Sequence, residues 1–428
     1  MVRMTSFRVL ACIFAAILSN AAQAQADATG ASETVQSLVT HINHAHSSSD
    51  WKSYRSDSLE LVRLLNGSPD ALLELAQADA RTGDSRAALR ELRTIARMGV
   101  SESKLGAAAD LADLRSRPAF QRILRQMSVN AKPISHSRRA LAIPDAGFLP
   151  EDVAYDSSDG EFLLTSVRET RIVTISSSGP MSTFARAPDG WPMLAIRIDA
   201  ERRVVWATEV ALTGFRNIPR HDWGRSVVLQ FDLRTARLLR RIEGPRGSQL
   251  GDMTLSPAGS LLVCDSNNGG LYLVQPGDSR LARLPTSEFV SPMTPVFIAA
   301  DQVFIADYVR GIALLDLGTD RVTWLPTENK YALAGTDGLY WYQNRLIAIQ
   351  NGLAPERIVS LTLDRARTRI AAEHVIESGT PELDPSHGII VAGSLYFIEN
   401  SGWNELTADG SVRRGARLTP AAIMRTQL

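Results

Sequence analysis

The stretch Glu151-Asp152-Val153-Ala154-Tyr155, followed at a turn's distance by Phe162-Leu163-Leu164, decides the fold because it recurs. The same phrase of approach loop, short apolar strand, tight turn and second strand returns as Leu194-Ala195-Ile196-Arg197-Ile198 before Val204-Val205-Trp206. It returns again as Asp252-Met253-Thr254-Leu255, Thr294-Pro295-Val296-Phe297-Ile298, Asp337-Gly338-Leu339-Tyr340 and Gly388-Ile389-Ile390, each before its own second strand. Copies recur roughly every 42–50 residues, and self-similarity of strand units at that period marks a propeller or a solenoid. Six copies predict a six-bladed β-propeller over residues 148–417, mainly β, with a tail at 418–428. In a propeller, chemistry gathers at the mouth of the central channel.

Outward from the repeats, the chain changes character. Residues 51–127 carry apolar positions at helical spacing: Leu59, Val62, Leu65, then Leu72, Leu75, Ala76, then Ala88, Leu89, Leu92, Ile95. The segments Ala71 to Arg81 and Ser85 to Met98, separated by Gly83-Asp84, resemble a tetratricopeptide-type helical hairpin. This small α-helical domain is expected to dock on the propeller, because its apolar faces are too few for a large core of its own. Residues 128–147 read as a linker whose Arg139-Ala140-Leu141-Ala142-Ile143 supplies an outer strand to the last blade. Residues 25–50 are rich in Ala, Ser, Thr and Asp and are expected to be flexible.

Residues 1–24 read as a signal peptide. Arg3 and Arg8 precede the short apolar run Val9–Leu18, and Ala22-Gln23-Ala24 is a small-residue cleavage site. The expected protein is secreted, into a periplasm, with no membrane span after cleavage. The whole chain holds 46 basic and 46 acidic residues. Removing the leader takes two arginines, so the mature chain is near neutral, which gives no electrostatic case for nucleic acid or an anionic membrane. Of the two cysteines only Cys264 survives cleavage, so no internal disulfide is expected.

Antiparallel pairing brings two sets of residues to one channel mouth: those before each first strand and those after each second strand. The first set includes Glu151, Asp252, Asp337 and His387; the second includes Arg168, Glu209, Asp265, Asp307, Asn351 and Asn400. Acids and amides around one axis suit a hard divalent cation, Ca²⁺ first. Asp265 and Asp307 are expected instead to cap turns. One spacing, Leu194 to Asp252, stretches to 58 residues. Its excess, Leu212–Arg225, holds Phe215, Trp223 and three arginines and reads as a lid or a self-packed loop.

Pro150-Glu151-Asp152-Val153-Ala154-Tyr155, Asp252 with Ser256-Pro257-Ala258-Gly259, and Thr336-Asp337-Gly338 with Gln350-Asn351-Gly352 resemble the gluconolactonase/regucalcin propeller family. The resemblance implies a divalent metal on Glu151, Asp252 and Asp337. It further implies metal-assisted hydrolysis of a lactone or small ester, with Asp337 as general base and His387 as a second base candidate. Arg168, Asn351 and Asn400 are the expected ligand rim. Two positions depart from the family: Gly251 stands where an Asn precedes the blade-three Asp, and Met293 where blade four has an Asn. The other expectation is a non-catalytic propeller, binding a small molecule at the mouth and a protein partner on the helical domain.

Overall fold

The computed structural model describes residues 30–176 and 180–428. The signal-peptide reading of residues 1–24 lies outside the described residues. Among the described residues five α-helices come first: α1 (Ala31–Ser47), α2 (Trp51–Leu64), α3 (Pro69–Arg81), α4 (Ser85–Arg97) and α5 (Pro118–Asn130). Their starts are written locally. Asp50 accepts from Ser53 N at 3.2 Å and Asp84 from Ala87 N at 3.0 Å, while Pro69 and Pro118 fill the first helical turns of α3 and α5. Gly83 ends α3 with a φ of +87°, a conformation glycine adopts without strain.

Six antiparallel sheets follow, each of four strands, with a fifth added to blade five. Their innermost strands are Pro150–Asp156, Met193–Asp199, Leu250–Leu255, Pro292–Phe297, Gly338–Tyr342 and Gly388–Val391. Each packs on the next in order, and the last packs on the first, so the ring is closed. Central strands are buried on both sides because blades pack face to face; Val204–Val210 is buried throughout.

The ring closes through both chain ends. In blade six the order outward is Gly388–Val391, Ser394–Ile398, Ala422–Gln427, then Arg138–Ala142 from the N-terminal side. Such pairing makes the C-terminal strand interior and leaves Arg138–Ala142 as the outer edge of the blade. Residues 418–428 are therefore not a tail: Ala422–Gln427 is an interior strand with Ile423 fully buried. Ile134–Ser135 adds to the outer edge of blade five.

The segment 25–50 also differs from expectation. From Ala31 on it is helical, with Val35, Val39, Ile42 and Ala45 buried against Tyr54, Leu61 and Leu65. The apolar spacing of i, i+4, i+7 lies inside a Ser/Thr-rich composition, and the periodicity prevails over the composition. His41 and His44 are exposed on this helix, while His46 pairs with Asp110 at 3.1 Å.

The helices dock on the mouth face over blades four and five. Val290 and Val309 join the core of α1 and α2, and Ala332 and Leu353 join that of α3 to α5. Backbone contacts bind the two parts: Ala31 N donates to Ser287 O at 2.9 Å and Ser101 N to Ala354 O at 2.6 Å.

Asp265 and Asp307 cap turns. Asp265 accepts from Gln249 N and Asn267 N, and Asp307 accepts from Val290 N, Ser291 N, Val309 N and Arg310 N. Glu209 occupies the matching place in blade two. Its Oε1 accepts from Asp189 N and Trp191 N, both at 2.9 Å, while Oε2 is buried without a hydrogen bond. Burial pushes this carboxyl up to about 7. The unfolded chain ionises Glu209 near 4.5 and the folded chain only near 7, so the group removes stability as pH rises between those values. Glu209→Gln is expected to abolish that part of the profile. Its gain over wild type should be about 2–3 kcal/mol larger at pH 8 than at pH 4.5, read by urea unfolding; equal gains at the two pH values refute it.

Candidate active site at the channel mouth

Irregular backbone places the site. The innermost strands of blades one to four each break register at their start: between Pro150 and Val153, Met193 and Ile196, Leu250 and Asp252, and Pro292 and Pro295. Bulges re-aim the side chains they carry, and these carry Glu151, Asp152, Asp252 and Thr294. In blade five a close backbone crossing does the same work. A Cβ on Gly352 would lie 2.6 Å from Gly335 Cα, so only glycine fits where the segments that carry Asp337 and Asn351 cross.

Around the axis, one polar group from every blade joins a closed circuit. Asp152 of blade one meets Arg197 Nη1 of blade two, and Arg197 Nη2 donates to Asp252 Oδ1 of blade three at 2.9 Å. Thr294 of blade four lies against Asp252 Oδ2 and 2.7 Å from the Asp337 carbonyl of blade five. His387 of blade six sets Nε2 3.2 Å from Asp252 Oδ2 and 3.9 Å from Asp337 Oδ1. Its Nδ1 lies 3.1 Å from the Glu151 carbonyl, back on blade one. A carbonyl only accepts, so Nδ1 carries a proton, and Nε2 faces carboxylates. Asp152, Asp252 and His387 are at most 3% exposed.

The charges follow from this packing. Burial works to lower His387, but the carboxylates of Asp337, Asp152 and Asp252 outweigh it and hold the imidazole well above its usual value. Burial works to raise Asp252, yet Arg197 and His387 keep it below the usual carboxylate range. Asp337 goes the other way: burial raises it, against the pull of His387 and of the Asn351 amide, which donates to Oδ2 at 2.7 Å. Asp337 Oδ1 is buried and has no hydrogen bond. Glu151 is pushed up to about 8, by burial first, with the Asp337 charge adding to it. Trp403 covers it, its indole N–H donating to Glu151 Oε2 at 2.5 Å.

The cover comes from two excursions. The long loop after the second strand of blade two meets the excursion of blade six: Phe215 stands edge-on to Trp403 at 6.4 Å, and Arg216 N donates to Asp409 O at 3.0 Å. The loop also holds itself, with Arg220 over Trp223 and Trp223 Nε1 donating to Ile218 O. Beside this cover lies a cavity of about 290 Å³ lined by Leu149, Pro150, Asp384, Asn400, Gly402 and Arg417. It opens next to the buried circuit, not within it.

The expected residues divide accordingly. Glu151, Asp252, Asp337 and His387 do meet at one mouth, and Asn351 holds Asp337. Asn400 lines the neighbouring cavity and donates to Thr419 Oγ1 at 2.7 Å. Arg168 is exposed on the turn after the second strand of blade one, outside the buried circuit. The expected metal set does not fit a hard cation. Asp252 has both oxygens committed, Oδ1 to Arg197 and Oδ2 to Thr294 and His387, and Met293 offers only a thioether. Among the described residues no group of three or more His, Cys, Asp or Glu is placed to hold a metal ion. Sequence reasoning passed over Asp152, Arg197, Thr294 and Trp403. Arg197 left a legible signal, a charge in the middle of an otherwise apolar innermost strand.

Fold and site together define a six-bladed β-propeller with an N-terminal helical segment and a buried acid–arginine–histidine circuit at one mouth. No protein-family model and no curated protein matches the chain. Solved propellers share the fold. Virginiamycin B lyase from Staphylococcus aureus is 13% identical, over 68% of this chain and 99% of that one, with a TM-score of 0.43. The PQQ-bound aldose sugar dehydrogenase from Streptomyces coelicolor is 13% identical, over 69% and 98%, at 0.46. A luciferin-regenerating enzyme is 13% identical, over 69% and 96%, at 0.48. The likeness is one of fold. Among the described residues no helix is long and apolar enough to cross a membrane.

Proposed function

We propose that this propeller hydrolyses a small ester or lactone at the channel mouth, using Asp337 as general base and Glu151 as general acid. One observation carries the reading: Asp337 Oδ1 is a buried carboxylate oxygen with no hydrogen bond, at the same mouth as a carboxyl raised to about 8. Two carboxyls whose environments set them to different tasks are the pattern of acid–base catalysis. At neutral pH Glu151 holds its proton. Burial makes Asp337 a stronger base than an exposed aspartate, while the His387 charge beside it favours its ionised form.

In the reaction, Asp337 takes a proton from water as the water oxygen bonds to the carbonyl carbon. The tetrahedral intermediate collapses by breaking the C–O bond to the leaving oxygen, which takes the Glu151 proton. Proton exchange with solvent resets both groups. The positive charges of Arg197 and His387 oppose the cost of negative charge at this buried mouth. Asn351 fixes Asp337 through Oδ2 and leaves Oδ1 without a hydrogen bond.

The test is turnover of aryl esters and γ- and δ-lactones by the chain and its variants. Asp337→Asn and Glu151→Gln should each lower kcat by about 10²–10⁴ while substrate still binds. The rate should fall on raising pH through about 8, where Glu151 loses its proton, and that limb should be absent in Glu151→Gln. A ligand that binds without turnover, or turnover unchanged in both variants, sinks the proposal and leaves a binding propeller.

A further inference from the structure

The disagreement between the acids at the axis and the metal they fail to hold has a physical explanation in Arg197. Its side chain rises from the innermost strand of blade two and bridges Asp152 of blade one to Asp252 of blade three. Both carboxylates are at most 1% exposed, and the guanidinium is only 18% exposed. Nη1 also donates to the Ile196 carbonyl at 2.6 Å, which fixes the head group from a third side. Two buried acids so close to one axis need a cation between them, because neither has water to solvate it. A planar guanidinium can serve two carboxylates at once, and it stays charged at every accessible pH.

We infer that Arg197 supplies, as a covalent part of the chain, the positive charge that a divalent cation would otherwise bring to the propeller axis. The remaining lone pairs are accounted for in the same way. Asp152 Oδ1 accepts from Val153 N and Oδ2 from Ile196 N, at 2.7 and 2.8 Å. Asp252 Oδ1 accepts from Met253 N at 2.7 Å as well as from Arg197. Six to eight oxygens are what Ca²⁺ takes, and here the oxygens of Asp152 and Asp252 already face donors. The two departures from the family pattern agree with this: Gly251 and Met293 bring no oxygen side chain to the same rim. The wild-type axis is thus a metal-independent site, and removal of the guanidinium uncovers oxygens from two blades around a hole of cation size.

The inference does not rest on the hydrolytic reading, since binding is read whether or not any ester turns over. The experiment uses the full chain, chelator-treated, titrated with Ca²⁺ by calorimetry and with Tb³⁺ by luminescence. Wild type is expected to show no saturable binding up to millimolar metal. Arg197→Ala is expected to gain a single site, at least about tenfold tighter than any wild-type signal, and a melting temperature that rises with Ca²⁺ but not with Na⁺. Arg197→Lys, which keeps the charge, is expected to bind neither metal. Saturable one-to-one Ca²⁺ binding by wild type overturns the inference whatever the variants do. If Arg197→Ala does not fold alone, recovery of a cooperative melt on refolding in millimolar Ca²⁺ supports it. Failure of Ca²⁺ to bind or stabilise both Arg197→Ala and Arg197→Gln overturns it.

Discussion

A chain ending at Leu418 is expected to lose the cooperative fold of the propeller. The strand Ala422–Gln427 lies between Ser394–Ile398 and Arg138–Ala142, so its removal strips blade six of two strands, not one. Ile423 is fully buried in a core with Leu141, Phe148, Val153 and Leu164, which belongs to blades six and one together. Without that strand the ring is open, and the second strand of blade six becomes a bare edge. The point variant Ile423→Ala should cost about 2–5 kcal/mol, the usual range for emptying a buried isoleucine site. Thermal melting and size-exclusion chromatography check the first, and urea unfolding the second. A truncated chain that melts at the wild-type temperature as a monomer refutes the account of ring closure.

The second large effect is expected at Arg357, which starts the third strand of blade five and is 3% exposed. Its Nε donates to Gln350 Oε1 at 2.8 Å and its Nη1 to the Met98 carbonyl at 3.1 Å, just past the end of α4. Glu373 stands 3.7 Å from Nη2. A cation at a helix C-terminus is favourable, since the last carbonyls there lack partners. Arg357→Met removes the charge and leaves Glu373, Gln350 Oε1 and the Met98 carbonyl without it. The expected cost is about 3–5 kcal/mol, that of breaking a buried ion pair from one side. Because Arg357 ties the helical segment to blade five, the link after α4, residues 99–104, should become a site of rapid proteolysis in the variant. An unchanged urea midpoint together with an unchanged digestion pattern refutes this role.

These two residues mark the limit of what was legible. The repeat phrase announced six blades because each inner strand carries its own apolar run and its own approach loop. The three acids and the histidine of the mouth were legible for the same reason: Glu151, Asp252, Asp337 and His387 occupy matching places in their copies. Helices α2 to α4 showed through apolar spacing, but α1 was hidden by its Ser/Thr-rich composition, and the last strand was hidden by its position after a long excursion. Trp403 gave no signal at all, because its partner Glu151 is 252 residues away.

By itself, then, the sequence determined the number of blades and the set of acids at one mouth, since both are written locally, copy by copy. Only the tertiary structure decided what those acids do. A carboxylate in a sequence has no counter-charge; it acquires one when packing brings a particular N–H or cation within about 3 Å. Closure of the ring set Arg197 between Asp152 and Asp252 and His387 between Asp252 and Asp337. That placement committed Asp252 to the scaffold and left Asp337 Oδ1 without a hydrogen bond, a division that no spacing of residues along the chain contains.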